Sequence, residues 1–290
     1  MKRKMIYIIA IACLAFAACE KEINMELPST STKLVVNCLF SPDTVFKVYV
    51  SRTAKVIGTD APENIENATV EIYKNGQILE TLNHLDKGLY TSVNFPEAGI
   101  EYTLKVSAPG YESITATSII PEKTVLLNVN LNDNAYQGPY SSTYAKISGE
   151  FADPAAENYY LVELTCVDTV YHYSPKIYLV DALNENSIIS SESPLGIILM
   201  TDELFNGKTY QLETYFANFV LKYQGEYKKF TLRLKSLSKE AYYYYKTAEL
   251  QISGEYNPFA EPARVYTNLT NGLGIFAGYN ESKVEFKVKK

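Results

Sequence analysis

The sequence predicts a mainly β protein: an N-terminal immunoglobulin-like β-sandwich followed by a larger antiparallel β domain, sandwich or barrel, that carries one helix. Three observations predict it. Polar and apolar residues alternate along most of the chain, without a break in Ile100–Val106 and Val284–Val288, the period of a strand with one wet face. Turn residues recur at short intervals, as in Asn75-Gly76 and Pro109-Gly110, and no helical segment separates the strands of the first half. A 3.6-residue period with no Gly or Pro occurs once, after Ser238.

The first unit is expected over residues 33–121. Its strands are read at Lys33–Phe40, Phe46–Arg52, Thr69–Lys74, Gln77–Leu82, Ile100–Val106 and Ser113–Ile120. Between them lie Ser41-Pro42-Asp43, Asn75-Gly76, Asp86-Lys87-Gly88, Pro96-Glu97-Ala98-Gly99 and Pro109-Gly110, each with the chemistry of a turn. Short strands at this spacing suit a small sandwich, immunoglobulin-like or like the regulatory domains of carboxypeptidases. Pro121 closes the unit.

The second unit, residues 122–290, has longer β segments at Val125–Leu131, Ala145–Phe151, Tyr159–Tyr173, Lys176–Val180, Thr209–Tyr223, Lys229–Leu234 and Val284–Val288. Its helix is expected near 238–253. Ser238 can cap it, Glu240 places an anion in the first turn, and Gly254 is expected to stop it. Leu237, Ala241, Tyr245, Ala248 and Ile252 recur at helical spacing as a core-facing stripe. Tyr242 to Tyr245 are four consecutive tyrosines covering most of the helix circumference, so some must meet a second surface. Near the C-terminus, Gly272, Gly274 and Gly278 punctuate an apolar run that reads as a bulged closing strand.

Ahead of this body stands an export signal. Lys2, Arg3 and Lys4 precede Met5–Phe16, an apolar segment too short for the ~20 residues of a spanning helix. It ends in Leu14-Ala15-Phe16-Ala17-Ala18-Cys19, small residues before a cysteine, the grammar of a lipobox. Residues 1–18 are therefore expected to be removed and Cys19 to become the lipidated first residue, carrying diacylglyceryl on its thiol, with palmitate among its lipids. Residues 19–32, polar and rich in Ser, Thr and Pro, are the expected tether. One lipidated end fixes the protein to a membrane surface.

Composition bounds the function. The chain has 290 residues and a net charge of −6; loss of the three leader cations makes the mature chain more acidic still. Nucleic-acid binding through a basic patch is excluded on that balance. Cys38 and Cys166 both lie in apolar strand-like runs and read as two buried thiols, with a bridge between them left open. There are two histidines, His84 and His172, and no H-E-x-x-H, nucleophile elbow or closely spaced ligand set. No catalytic, cofactor or metal residues are assigned, and no enzyme is expected. Asp202-Glu203 reads as a solvated turn or cap, and Asp133 and Asp153 with Asn132, Asn134 and Glu150 as a group that could bind a calcium ion in loops, though without EF-hand spacing.

Tyrosine is abundant, 25 residues against no tryptophan. Tyr136, Tyr140, Tyr144, Tyr242 and Tyr243 are the candidate contact surface, since Tyr supplies large area at modest entropic cost. Asp43-Thr44-Val45 and Asp168-Thr169-Val170 resemble the Asp-Ser/Thr-apolar pattern of O-glycosylation in exported Bacteroidota proteins, which makes Thr44 and Thr169 candidate glycan acceptors.

Three further blocks carry a family resemblance: Asn257-Pro258-Phe259-Ala260-Glu261-Pro262, Tyr266-Thr267-Asn268, and Asn271-Gly272-Leu273-Gly274-Ile275-Phe276-Ala277-Gly278-Tyr279. With Lys33–Asn37, Ser41–Asp43, Val48–Arg52 and Ala68–Tyr73 in the same order, they resemble a Bacteroidota outer-membrane lipoprotein family of unknown function, domain-of-unknown-function family 4249. Glu20-Lys21-Glu22 likewise resembles the signal that sends such lipoproteins to the cell surface. The resemblance implies an accessory partner of a TonB-dependent receptor in nutrient uptake, lipid-anchored in the outer membrane, with a peptide or other nutrient as ligand. An autonomous surface adhesin or structural lipoprotein is the alternative, and an extracellular hydrolase built on His84 or His172 the third reading.

Overall fold

The computed structural model describes residues 32–54, 62–137, 143–168, 177–179, 193–218, 221, 228–255, 261 and 263–288. The expected signal, Cys19, most of the expected tether, Tyr140, Thr169 and His172 lie outside the described residues. From Thr32 to Lys290 the chain is one compact unit.

Fifteen strands and one helix are described. In order they are β1 (Leu34–Phe40), β2 (Lys47–Arg52), β3 (Thr69–Lys74), β4 (Gln77–Thr81), β5 (Asn83–Asp86), β6 (Leu89–Thr91), β7 (Glu101–Ser107) and β8 (Ile114–Ile119). Then follow β9 (Leu127–Gln137), β10 (Thr143–Ala152), β11 (Tyr159–Asp168), β12 (Ile197–Thr201), β13 (Thr209–Ala217), β14 (Lys228–Leu237), helix α1 (Lys239–Glu255) and β15 (Leu273–Val288). The mainly β expectation holds, and among the described residues the second half is sandwich-like with no closed barrel.

One eight-stranded sheet, in the order β12-β11-β14-β15-β1-β2-β6-β5, forms the backbone of the molecule. A four-stranded sheet, β4-β3-β7-β8, covers one end, and a three-stranded sheet, β13-β10-β9, covers the other. The first sandwich encloses Leu34, Val36, Cys38 and Phe40 of β1 with Val70, Ile72, Tyr102, Leu104 and Val106. Phe40 sits among Phe46, Tyr102 and Phe276, with ring centroids 5.1, 5.9 and 4.6 Å away. The second encloses Tyr160, Val162, Leu164 and Cys166 of β11 with Ile147, Phe151, Phe216, Phe230 and Leu232. Each fully buried aromatic or large aliphatic side chain contributes about 1.5–3 kcal/mol by leaving water.

The strand joining these cores is β15. Its first residues run parallel to β1, Val35 against Leu273 through Phe40 against Gly278, and its later residues run antiparallel to β14, Leu237 against Tyr279 through Lys228 against Val288. Alternation along β15 then assigns each side chain a task. Phe276 belongs to the first core, while Val284 and Phe286 pack against the second. Ile275 and Ala277 point the other way and lie under α1 with Tyr159, Leu161, Ala241 and Tyr242.

Between Phe276 and Val284, on the same face, stand Gly278, Asn280 and Ser282, and across them runs the connector from β8 to β9. Asn280 Nδ2 donates to the Pro121 carbonyl at 3.2 Å, Ser282 Oγ accepts from Leu126 N at 3.0 Å, and Ser236 Oγ accepts from Thr124 N at 3.3 Å. These buried hydroxyls and amide satisfy backbone groups that the sheets leave unpaired. Gly278 leaves room for the chain itself: a Cβ there would lie 2.4 Å from the Ile119 carbonyl oxygen. The boundary expected at Pro121 is thus a segment bonded to the shared sheet.

The structure departs from expectation in several places. β5, β6 and β12 are too short or too continuously apolar to show alternation, and the first half of β15 is hidden by its glycines. The expected bulge in that strand is absent, because the pairing of β15 with β1 and β14 runs without a shift. Gly274 instead has φ +105°, and a Cβ there would fall 2.1 Å from the Val36 carbonyl oxygen. Residues 177–179 of the expected Lys176–Val180 strand are not in a strand. Helix α1 passes through Gly254 and ends at Glu255, within the fraying range of a helix terminus.

Candidate binding surfaces

Helix α1 starts as its cap dictates. Ser238 Oγ accepts from Ala241 N at 3.3 Å, Ser238 O accepts from Tyr242 N, and the Ser118 hydroxyl donates to the Glu240 carboxylate at 2.9 Å. Ala241 and Tyr242 form the buried line; Tyr245, Ala248 and Ile252 of the expected stripe are half-buried. Tyr242, expected on a contact surface, is only 8% exposed and packs on Tyr159 at 4.7 Å. The reason is register: following Ala241, it takes the sheet-facing side of the first turn. Tyr243 remains half-buried between Tyr159 and Tyr266, at 6.3 and 5.9 Å. Burial raises the phenol pKa of both Tyr159 and Tyr245.

The second candidate surface is the outer face of the three-stranded sheet. On β10, Ala145, Ile147 and Phe151 point inward, so Tyr144, Lys146, Ser148 and Glu150 point outward. Tyr136 stands directly opposite Tyr144, their rings 6.3 Å apart, and Tyr215 stands opposite Lys146. Lys146 Nζ lies 5.9 Å from the Tyr215 ring centre and 2.5 Å from Glu213 Oε1, which raises its pKa. Glu150 accepts from Gln211 and Asn128, and its carboxyl is held below the usual range. The result is a half-exposed aromatic row in which Lys146 is paired with Glu213 and Glu150 stays ionised, held by two neutral amides; aromatic enrichment of this kind is a mark of protein-contact patches.

A cleft of about 320 Å³ opens beside α1. Its helix wall is Lys246, Glu249, Leu250 and Ser253, and the facing wall includes Ser193, Ile197 and Leu199. Glu249 Oε1 receives the Ser193 hydroxyl, and Ser193 Oγ in turn accepts from Leu195 N and Ile197 N at 3.2 and 3.4 Å. Burial raises the Glu249 pKa, and the Ser193 bond opposes that rise. No ion pair to Glu249 occurs among the described residues. Lys246 leans back over the Tyr242 ring, 5.6 Å from its centre. Sequence reading missed this site. Its signal was the 246/249/250/253 stripe, which mixes opposite charges off the core line of the helix.

The remaining sequence candidates are dispersed. Thr44 is exposed in the turn after β1. His84 is exposed on β5 with its ring 5.1 Å from Tyr90. Asp202, expected to be solvated, is 2% exposed and accepts from Asn158 N at 2.9 Å, because the 202–208 turn folds back onto residues 153–158. Asp153 is buried too, accepting from Tyr160 Oη at 2.5 Å and Gly207 N at 2.8 Å. Among the described residues no group of three or more His, Cys, Asp or Glu side chains is placed to hold a metal ion. Cys38 and Cys166 sit in different cores. Cys38 aligns with Phe276 of β15, whereas Cys166 aligns through Phe230 with Phe286. Ten residues of strand, about 33 Å, separate those levels, so no disulfide joins them.

No curated protein matches the chain. Among solved structures it is similar to a mutant of Salmonella alpha-2-macroglobulin, at 15% identity over 94% of this chain and 16% of that one, with a TM-score of 0.23. It is likewise similar to native E. coli alpha-2-macroglobulin, at 16% identity over 72% of this chain and 13% of that one, with a TM-score of 0.23. The chain thus spans less than a fifth of either, and likenesses at that score carry no argument. A family model matches residues 20–285, and the chain belongs to that family, "Domain of unknown function (DUF4249)".

Proposed function

We propose that the protein is a non-enzymatic, lipid-anchored accessory of a TonB-dependent outer-membrane receptor, held at the cell surface through Cys19 and serving nutrient capture. The observation that carries this reading is the aromatic outer face of the three-stranded sheet. Tyr136, Tyr144 and Tyr215 stand off the core there, on strands braced by an unbroken nine-residue register between β10 and β13. Rigid tyrosines lose little entropy on docking. The lipobox ending in Cys19 supports the anchor, and the family resemblance supplies the receptor as partner.

The test is to tag the chain after Lys290, solubilise outer membranes gently and identify stoichiometric partners by mass spectrometry. The expected result is one TonB-dependent receptor, lost when Tyr136, Tyr144 and Tyr215 are changed together to Ser. Recovery of the lipoprotein alone overturns the accessory role and favours the adhesin reading.

A further inference from the structure

The cleft beside α1 holds two opposite charges that do not neutralise each other. Lys246 and Glu249 lie one turn apart on the helix, yet the ammonium turns back to the Tyr242 ring while the carboxyl reaches across the cleft to Ser193. Residues three apart on a helix are neighbours that readily form ion pairs. Here both ends are held apart by other partners. Between and beside them the lining is apolar: Leu179, Pro194, Ile197, Ile198, Leu199 and Leu250. Leu250 is 56% exposed although it borders this cleft.

From this arrangement we propose that the cleft is a binding site for a small apolar zwitterion of dipeptide size. Its ammonium pairs with Glu249, its carboxylate with Lys246, and its side chains cover Leu250 and the Ile197–Leu199 wall. Four features point to the class. A partly buried carboxylate with a neutral hydroxyl as its partner gains most from a cationic donor. The cation at the other end opposes a purely cationic ligand, and the aliphatic part of the wall favours apolar side chains over a sugar. A volume of about 320 Å³ lies at the small end of ligand pockets, too small for a long peptide. The burial that raises the Glu249 pKa acts in the same direction, since a bound ammonium relieves it. The biological meaning rests on the nutrient-capture reading; the binding does not.

The experiment is isothermal titration of the purified full-length chain in detergent with leucyl-leucine, acetyl-leucyl-leucine, leucyl-leucinamide and free leucine. Leucyl-leucine is expected to bind, with affinity reduced at least about tenfold by N-acetylation or by Glu249→Gln. Amidation and Lys246→Gln should each weaken it to a similar degree, and free leucine should bind more weakly than the dipeptide. Unchanged thermal unfolding of both variants shows that they are folded. No heat with leucyl-leucine, or equal affinity for the free and acetylated peptides, overturns the proposal. Receptor capture with no dipeptide binding would sink the cleft alone, and dipeptide binding with no receptor would sink the accessory role alone.

Discussion

Gly278→Ala tests the way the two sandwiches are joined. The added Cβ would lie 2.4 Å from Ile119 O, 2.8 Å from Ile119 C and 2.9 Å from Ile120 Cα, all backbone atoms that no rotamer change can move. Ordinary contact begins near 3.4 Å, so the connector must retreat by about 1 Å. That retreat breaks the Asn280–Pro121 bond and the Gly278–Ser118 bond, which start at 3.2 and 3.3 Å. Two such bonds are worth roughly 1 kcal/mol each, and overpacking strain adds about 1–3 kcal/mol. The expected loss is therefore about 3–5 kcal/mol, a large share of the usual stability of a domain. Urea unfolding followed by fluorescence and circular dichroism reads it. Gly76→Ala is the control: nothing lies within 4 Å of its Cβ, and its φ of +79° sets the cost at about 1–2 kcal/mol. Asn280→Ala should also cost less in the Gly278→Ala background than alone, because the bond is already broken. A Gly278→Ala protein as stable as the control, or additive with Asn280→Ala, refutes the reasoning.

Two further outcomes follow from buried groups. Burial pushes the Cys38 thiol from 9.0 up to about 12, so between those values the unfolded chain loses a proton that the folded chain keeps. Stability should fall as pH rises through that window, by about 1.4 kcal/mol per unit from this thiol alone, and Cys38→Ala should flatten the slope measured by urea titration at pH 9 to 11. Tyr160→Phe removes the hydroxyl that Asp153 accepts in the second core. It should cost about 1–3 kcal/mol in thermal and urea unfolding, and a neutral result would show that Gly207 N and solvent suffice for that carboxylate.

Much of the fold was legible because most strands obey one rule, a period of two between turn residues. β3 was read to the residue, and β1, β2, β7 and β8 to within one or two. What hid β12 was burial on both sides, Ile197 under α1 and Ile198 in the second core, which erases alternation. What misled the reading of β15 was its glycines, which answer to a chain crossing overhead and to the Val36 carbonyl, neither visible locally. Cys19 and the tyrosines could be picked out by chemistry, but whether a tyrosine faces water depends on pairing: Tyr144 is carried outward by β10 and Tyr242 inward by α1. Of the cleft only the helix stripe at 246, 249, 250 and 253 left a trace in the sequence; its facing wall did not, since Ser193 and Glu249 meet only through the fold.

The position of β15 also governs when this chain can fold. Val35, near the start of the described chain, waits for Leu273 as its parallel partner, and both cores draw side chains from that last strand. Such long-range closure slows folding, because the whole intervening loop must be ordered before the contact rewards it. A chain lacking β15 has an open edge at β1 and another at β14, and no strand shared by the two cores. Arrival of β15, more than any local signal, is the event that joins the two cores.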